Sequence, residues 1–163
     1  MKIEIRPGTT IETSVQEDID YVEENFREGD RAEHESMGGG RTDVRMFEDC
    51  WTIRHHGDIV GYCGIAVPAN ATPFSPARWL CFMSCENANK YKFEFVKCSR
   101  LILKLIAKDL PPCVELIMSL PAEAYTASLK WHERVLNMHR GGMIVHRNTK
   151  CVYYWIKREE LET

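Results

Sequence analysis

Cysteine and histidine are the residue types in this sequence that could bind a metal or undergo redox chemistry. The chain of 163 residues has seven cysteines, an odd number, and six histidines. Cys81 and Cys85 are four residues apart in a strand-like segment, so both side chains would point to one face. No further Cys or His stands at ligand spacing from them, and His55-His56 lies in a predicted turn where neighbouring side chains diverge. The sequence therefore predicts free, mostly buried thiols and no metal site.

A second group of residues could contact an anion. Asn89 can cap a helix, and Lys90 and Lys92 lie in the predicted first turn of that helix. Amides at a helix N-terminus bind phosphate groups, whereas a lysine there opposes the helix dipole. Either an anion binds at this turn, or the lysines are solvated and the site is silent. Residues 84–92 contain no glycine that would let a ligand approach the main chain, which favours a silent site.

The elements that must position these residues follow from the hydropathy pattern. Apolar residues alternate in the strand-like segments, whereas they recur every three or four residues in the helical ones. Turn residues and prolines separate the segments. In chain order the predicted elements are a strand (1–6), a helix (14–26), a short helix (30–37), a hairpin (51–54 and 59–67), a strand (78–85), a helix (92–110), a strand (114–118), a helix (121–136) and a hairpin (143–146 and 151–157).

Particular residues mark the predicted ends of these elements. Ser14 opens a capping-box pattern, in which its side-chain oxygen would accept from the amide three residues later. Gly29 ends the first helix, and Asp30 can cap the second one. Gly141-Gly142 closes the last helix. The polar tail 159–163 is expected to fray.

The bulk composition restricts the class of protein. The chain is 44% hydrophobic and 28% charged, which is typical of a globular protein of one domain. Its net charge of −3 gives no basic character for binding nucleic acid. No apolar run approaches the roughly 20 residues that span a bilayer, and the N-terminal residues lack the apolar region of a signal peptide. We expect no membrane and no nucleic-acid partner.

The order of these elements resembles the GNAT superfamily of acyltransferases over nearly the whole chain. Residues 58–61 resemble its second-to-third strand motif, and residues 128–136 resemble its last-helix motif. More narrowly, the chain resembles the GNAT-like family of tailed phages that includes a small internal virion protein of podoviruses. That narrower match rests on Asn25-Phe26-Arg27, Asp30-Arg31, Glu33, Trp79 before Ser84, and residues 97–105. The resemblance implies a single α/β domain with a mixed central sheet of six or seven strands and four helices.

Acyl transfer from a coenzyme A thioester, the reaction that this resemblance implies, requires a coenzyme cradle, a base and an acid. Active relatives bind the coenzyme pyrophosphate at a glycine-rich turn. The corresponding turn of this chain has no glycine. Its candidate coenzyme contacts are Cys85, Asn87, Asn89, Lys90 and Lys92.

The resemblance also indicates candidate catalytic residues. His132 aligns with the tyrosine that commonly acts as the acid in the last helix, and an imidazole can titrate near neutral pH. Tyr125 is a second candidate acid. Glu86 and Glu115 are the carboxylates nearest the expected cleft and are the candidate bases. Alternatively, His132 is a buried core histidine, Tyr125 only packs, and both glutamates are solvated.

The resemblance implies a phage protein, and because the turn lacks glycine we expect first that its scaffold is a binding or assembly module without efficient catalysis or a cofactor. Its partner would be a virion protein or a host protein, and its location the virion interior or the host cytoplasm. The alternative is an acetyl-CoA-dependent N-acetyltransferase acting on an amine of a protein or small molecule. A third hypothesis is a redox-sensitive regulator that uses its cysteines.

Overall fold

An eight-stranded mixed sheet forms the centre of the computed structural model, which describes residues 1–36 and 38–163. Its strands are β1 (Lys2–Arg6), β2 (Thr9–Thr13), β3 (Asp49–His55), β4 (Asp58–Ala66), β5 (Ala77–Ser84), β6 (Leu116–Ser119), β7 (His139–His146) and β8 (Thr149–Lys157). They lie in the order β1-β2-β3-β4-β5-β6-β8-β7. The β5–β6 pair is parallel, whereas the other neighbours are antiparallel.

Five α-helices of the described residues flank this sheet: α1 (Gln16–Glu24), α2 (Glu28–Ser36), α3 (Lys92–Asp109), α4 (Thr126–Arg134) and α5 (Arg158–Leu161). Short 3-10 turns occupy Val44–Met46 and Glu86–Asn89. The predicted end of the second helix, Met37, lies outside the described residues. Of the described helices, none has the length and apolar character needed to cross a bilayer.

The α/β class and the mixed sheet are confirmed, and the differences are one strand and one helix. The additional strand β2 has a single large apolar residue, Ile11, which is fully buried. One apolar residue is too short a pattern to predict a strand. The additional helix α5 lies in the tail that we expected to fray, and Leu161 anchors it with only 8% of its surface exposed.

The prediction that Ser14 caps the first helix is wrong. The Ser14 hydroxyl instead bonds to the Thr52 hydroxyl at 2.7 Å, and Thr52 donates onward to the Asp18 carboxylate at 2.9 Å. Asp18 also accepts from the amide of Val15 at 3.3 Å, which satisfies the start of α1. The Ser14 hydroxyl therefore belongs to a buried series of hydrogen bonds that ends at the Asp18 carboxyl group, and it does not cap α1.

Other predicted boundaries are also wrong. Helix α1 ends before Gly29, which lies inside α2 together with Asp30. Gly141-Gly142 lies within β7 and coincides with a register shift there, so the two glycines accommodate a bulge rather than close α4. Asn137, with φ of 54°, takes the left-handed conformation just after α4.

The two faces of the sheet bury separate cores. On one face, α3 packs Ile102, Leu103 and Ile106 against apolar residues that include Cys63 and Ile65 of β4. On the other face, Ile19 and Val22 of α1 pack with Tyr62 and Cys50. Strand β4 is buried from Ile59 to Ile65, as predicted for a central strand covered on both sides. The helices therefore form one layer on each side of the sheet.

The parallel strands β5 and β6 separate along their length. They pair only from Ala77 with Leu116 to Trp79 with Met118. Strand β5 nevertheless continues to pair with β4 as far as Ser84. Its far end is covered by the α1–α2 connection, because the Arg27 amide donates to the Ser84 carbonyl at 3.0 Å. The sheet therefore contains an opening beside β5, between Trp79 and Ser84.

Candidate functional site

A cleft of about 620 Å³ occupies the opening between β5 and β6. Its lining residues come from both faces of the sheet, so the cleft passes between the two separated strands. We call the side toward α3 and α4 the α3–α4 half, represented by Asn89, Lys92, Phe95, Val96 and Trp131. We call the opposite side the α2 half, represented by Asp30, Glu33, Phe47, Tyr62 and Met83.

The open edge of β5 presents main-chain hydrogen-bonding groups to this cleft. The Cys85 amide donates to the Val60 carbonyl of β4 at 2.8 Å. Because alternate residues of a strand direct their main chain to opposite neighbours, Phe82 directs its N–H and C=O away from β4. The Ser84 carbonyl, which accepts from Arg27, agrees with this alternation. An extended ligand with amide groups could pair with Phe82 as an added strand would.

Three aromatic rings form the wall of the α3–α4 half. Phe82 and Trp131 meet edge to face with ring centroids 4.5 Å apart, and Phe95 lies 6.0 Å from Trp131. The indole Nε1 of Trp131 is buried, and within residues 1–36 and 38–163 it has no hydrogen-bond partner. A buried donor without a partner costs about 1–3 kcal/mol. Trp131 also lines the cleft, so this donor lies close to any ligand bound there.

Two carboxyl groups of α2 connect the separated strands. Asp30 accepts from the Ser84 hydroxyl at 2.5 Å and from Arg27 Nε at 3.1 Å, next to the end of β5. Glu33 Oε1 accepts from the Ala122 amide at 3.0 Å, just beyond the end of β6. Because the two side chains are three residues apart, they share one face of the helix. That face of α2 lines the cleft.

The cleft changes the acidity of both carboxyl groups. Burial raises the pKa of Glu33 to about 8, and the neighbouring Asp30 charge adds to that rise. Burial also raises the pKa of Asp30, although the Arg27 charge opposes it. A carboxyl group that titrates close to the working pH is suited to general base catalysis.

Sequence reasoning did not identify Asp30, Glu33 or Trp131 as site residues. The i, i+3 spacing of the two acids was the available signal. It was masked because α2 is polar around most of its circumference, so its inward face could not be distinguished. In the sequence Trp131 cannot be distinguished from an ordinary core aromatic, because only the structure shows that its indole N–H has no partner.

His132 lies on the cleft wall between α4 and β6. Its Nδ1–H donates to the Ser128 carbonyl at 2.7 Å, so its Nε2 accepts from the Ser119 hydroxyl at 2.8 Å. Burial lowers the pKa of His132 to about 4. The imidazole is therefore neutral at pH 7, and both of its nitrogens are engaged.

Tyr125, the second predicted acid, packs against the start of α2. The Arg27 guanidinium carbon lies 5.3 Å from the centroid of its ring. A Cβ added at Gly29 would lie 2.0 Å from Cζ of Tyr125, so the ring rests directly on the glycine. Burial raises the pKa of Tyr125 to about 12. In the described chain it supports α2 and is not part of the cleft lining.

The two predicted bases lie apart from His132. Glu86 is exposed and begins the 3-10 turn after β5. Glu115 is exposed and precedes β6, at the end where β5 and β6 are still paired. Neither occurs among the described residues that line the cleft, so the structure does not bring them together with His132.

The five predicted coenzyme contacts divide into two groups. Asn89 and Lys92 line the cleft at the start of α3. Cys85 is buried under the other face, Lys90 extends over the Tyr91 ring at 5.1 Å, and Asn87 donates from Nδ2 to the Ile59 carbonyl at 3.0 Å. Only the first pair can therefore reach a ligand in the cleft without rearrangement.

The turn before α3 uses its own amides. The Ala88 amide donates to the Cys85 carbonyl at 3.0 Å, and the amides of Lys90 and Tyr91 donate to the Asn87 carbonyl at 3.0 and 3.1 Å. No residue in 84–92, all of which the structure describes, has a positive φ. These amides are thus not free to surround a diphosphate, in contrast to the groups on the opening of β5.

The seven cysteines are all free. Burial raises the pKa of Cys50, Cys81, Cys85 and Cys98 to about 12, which keeps them as thiols at neutral pH. Redox chemistry needs the thiolate, so these four are poor sensors. Among the described residues no group of three His, Cys, Asp or Glu side chains is arranged to hold a metal ion.

No family model matches the chain, and no curated protein is similar to it in sequence. Solved acetyltransferase structures share its fold. AAC(6')-Ib in complex with ribostamycin and coenzyme A superposes with a TM-score of 0.70 at 15% identity, over 95% of this chain and 96% of that one. A GNAT-family acetyltransferase from Bacillus anthracis superposes with a TM-score of 0.68 at 14% identity, over 98% of this chain and 99% of that one. YncA, a putative acetyltransferase from Salmonella typhimurium with acetyl-CoA, superposes with a TM-score of 0.63 at 10% identity, over 92% of this chain and 94% of that one.

The chain therefore has the GNAT fold over nearly its whole length. At these identities the similarity extends to the fold alone.

Proposed function

We propose that this protein is an acyl-coenzyme A-dependent N-acyltransferase that uses an amine as acceptor. The observation that carries the proposal is the cleft through the sheet, which joins the open edge of β5 to the Glu33 carboxyl group. The coenzyme would bind in the α3–α4 half and the amine in the α2 half. The solved acetyltransferase structures of the same fold that contain coenzyme A or acetyl-CoA support this assignment.

The groups in the α3–α4 half fit a pantetheine arm. The Phe82 main chain offers an amide and a carbonyl along the open edge, and the Trp131 indole offers an unpaired donor. Lys92 and Asn89 lie where the charged end of the coenzyme would leave the cleft. When bound, the coenzyme would supply the acyl group as a thioester.

The α2 half fits the acceptor chemistry. An ammonium must lose a proton before its nitrogen can attack a thioester carbonyl. Glu33, whose pKa is raised to about 8, is the proposed acceptor of that proton. As the amide bond forms, the thioester C–S bond would break, and the thiolate would take the second proton of the nitrogen and leave as the free thiol. Burial is the main cause of the raised pKa, the Asp30 charge adds to it, and the Ala122 amide orients the carboxyl group. In this proposal His132 is neutral and holds the wall in place through Ser119 and Ser128.

The test is release of free thiol from acetyl-CoA in the presence of primary amines. Glu33→Gln is expected to lower kcat by about 100-fold or more, because it removes the base, while acetyl-CoA binding persists. Glu86→Gln and Glu115→Gln are matched controls that remove exposed carboxylates and are expected to change the rate less than twofold (~0.4 kcal/mol). Full activity in Glu33→Gln, or an equal loss of activity in either control, would reject this role.

The second candidate function is a binding or assembly module without catalysis. The observation in its favour is that the amides of Ala88, Lys90 and Tyr91 are bonded within their own turn. Membership of the phage family, and a virion or host protein as partner, remain predictions. Absence of any stabilisation by millimolar acetyl-CoA would favour this candidate, since a ligand of the folded state must raise its stability.

A further inference from the structure

We infer that the α2 half of the cleft binds a primary amine with one positive charge and an apolar, aromatic-sized body. It would bind such a monoamine in preference to a polyamine or another polycation. As a statement about the acceptor, this inference rests on the proposed function. As a statement about binding, it rests on the lining residues alone.

The floor of the α2 half is apolar and partly aromatic. Tyr62 pairs with Met83, and Gly64 pairs with Cys81, so these side chains share one face of the sheet. The Phe47 ring covers Gly64 closely, because a Cβ added there would lie 2.4 Å from Cδ1 of Phe47. The rings of Phe47 and Tyr62 have centroids 6.0 Å apart. A flat apolar group can stack on this surface.

The rim of the α2 half also exposes apolar side chains. Met46 is 64% exposed and Ile144 is 44% exposed, and both line the cleft. Exposed apolar groups at the mouth of a pocket with few polar groups are typical of a ligand site. A ligand with an apolar body would remove these side chains from water.

The charges of the α2 half fit a single ammonium. Its acidic lining residues are Asp30 and Glu33. Asp30 already pairs with Arg27 at 3.1 Å, whereas Glu33 forms no ion pair among the described residues. A polycation would place further ammonium groups against Phe47, Met46 and Ile144 without partners. Burying such charges unpaired is unfavourable.

The first test is a calorimetric titration of the full chain at pH 8.5 with four probes: 2-phenylethylamine, the neutral 2-phenylethanol, spermidine and kanamycin. We expect 2-phenylethylamine to bind about tenfold more tightly than each of the others, because only it satisfies both the carboxylate and the apolar floor. Equal or tighter binding of a polycation, equal binding of the alcohol, or no binding of the amine would overturn the inference.

Variants separate the two parts of the recognition. Phe47→Ala is expected to weaken the binding of 2-phenylethylamine about tenfold and to leave the affinity for spermidine unchanged. The matched control is Phe74→Ala, because Phe74 is 83% exposed and lies outside the described cleft lining. Glu33→Gln should remove the difference between the amine and the alcohol. The thermal unfolding midpoint of each variant confirms that it is folded, and a Phe47→Leu variant replaces Phe47→Ala if that one is not.

The outcomes also separate this inference from the proposed function. If 2-phenylethylamine binds but acetyl-CoA does not, the acyltransferase assignment fails and the amine site stands. If acetyl-CoA binds and spermidine is the acetylated acceptor while 2-phenylethylamine is not, the acyltransferase assignment stands and this inference fails.

Discussion

The carboxyl group of Glu33 serves both the fold and the proposed chemistry. It accepts from the Ala122 amide, which attaches α2 to the end of β6, and burial raises its pKa to about 8. A base buried beside another acid is costly to ionise in the folded chain. Stability and reactivity therefore oppose each other at this residue.

The pH dependence of stability tests the Glu33 pKa. Because this pKa rises from 4.5 to about 8 on folding, its contribution to stability is full below 4.5 and is lost as pH rises through 8. Glu33→Gln removes this loss, so the Tm of the variant relative to wild type is expected to rise by about 10 °C between pH 5 and pH 9.

Thermal unfolding at a series of pH values measures this difference, with Glu86→Gln as the control that should show no such trend. The rate of acyl transfer should rise over the same pH range as Glu33 loses its proton. A constant difference between Glu33→Gln and wild type from pH 5 to pH 9 would contradict the raised pKa.

Trp131 gives a second prediction at the residue scale. Trp131→Phe retains a ring against Phe82 and removes the unpaired indole donor. We expect stability to be unchanged or higher by up to about 1 kcal/mol, and acetyl-CoA affinity to fall about tenfold. Denaturant unfolding and calorimetric titration measure the two effects.

The matched control for this substitution is Trp155→Phe. Trp155 lies on β8 against His139, with ring centroids 4.4 Å apart, and is not among the described residues that line the cleft. Equal loss of acetyl-CoA affinity in both variants would show that the Trp131 indole has no specific role.

At the scale of elements, the position of α2 depends on the contact between Gly29 and Tyr125. Gly29→Ala is expected to destabilise the protein by about 1–3 kcal/mol, because the added methyl group overlaps the Tyr125 ring. Gly142→Ala is the control, since nothing lies within 4 Å of the position of its Cβ. Denaturant unfolding measures both, and equal stabilities would mean that α2 is not fixed by this contact.

The elements differ in how far the sequence determines them. The central strand β4 and the long helix α3 were predictable because their apolar patterns are continuous. Strand β2, with one large apolar residue, was not. The opening beside β5 was invisible because a hydropathy pattern identifies strands but does not indicate where the β5–β6 pairing stops. Asp30 and Glu33 could be recognised as site residues only once the structure showed that they line this opening.

At the scale of the whole molecule, the fold divides the proposed reaction between the two faces of the sheet. The α3–α4 half provides main-chain and indole hydrogen-bonding groups, and the α2 half provides a carboxyl group of raised pKa. The opening beside β5 lets the two halves meet, which a fully paired sheet would prevent. In this proposal the glycine-free turn before α3 contributes less to coenzyme binding than the open strand edge does.

Calorimetric titration of the full chain with acetyl-CoA tests this account most directly. We predict one binding site per chain, with an affinity sufficient for about 1 mM acetyl-CoA to raise Tm by several degrees. Binding should weaken in Lys92→Ala and persist in Lys108→Ala, which removes a lysine from the opposite end of α3. No heat of binding and no change in Tm at millimolar acetyl-CoA would contradict it.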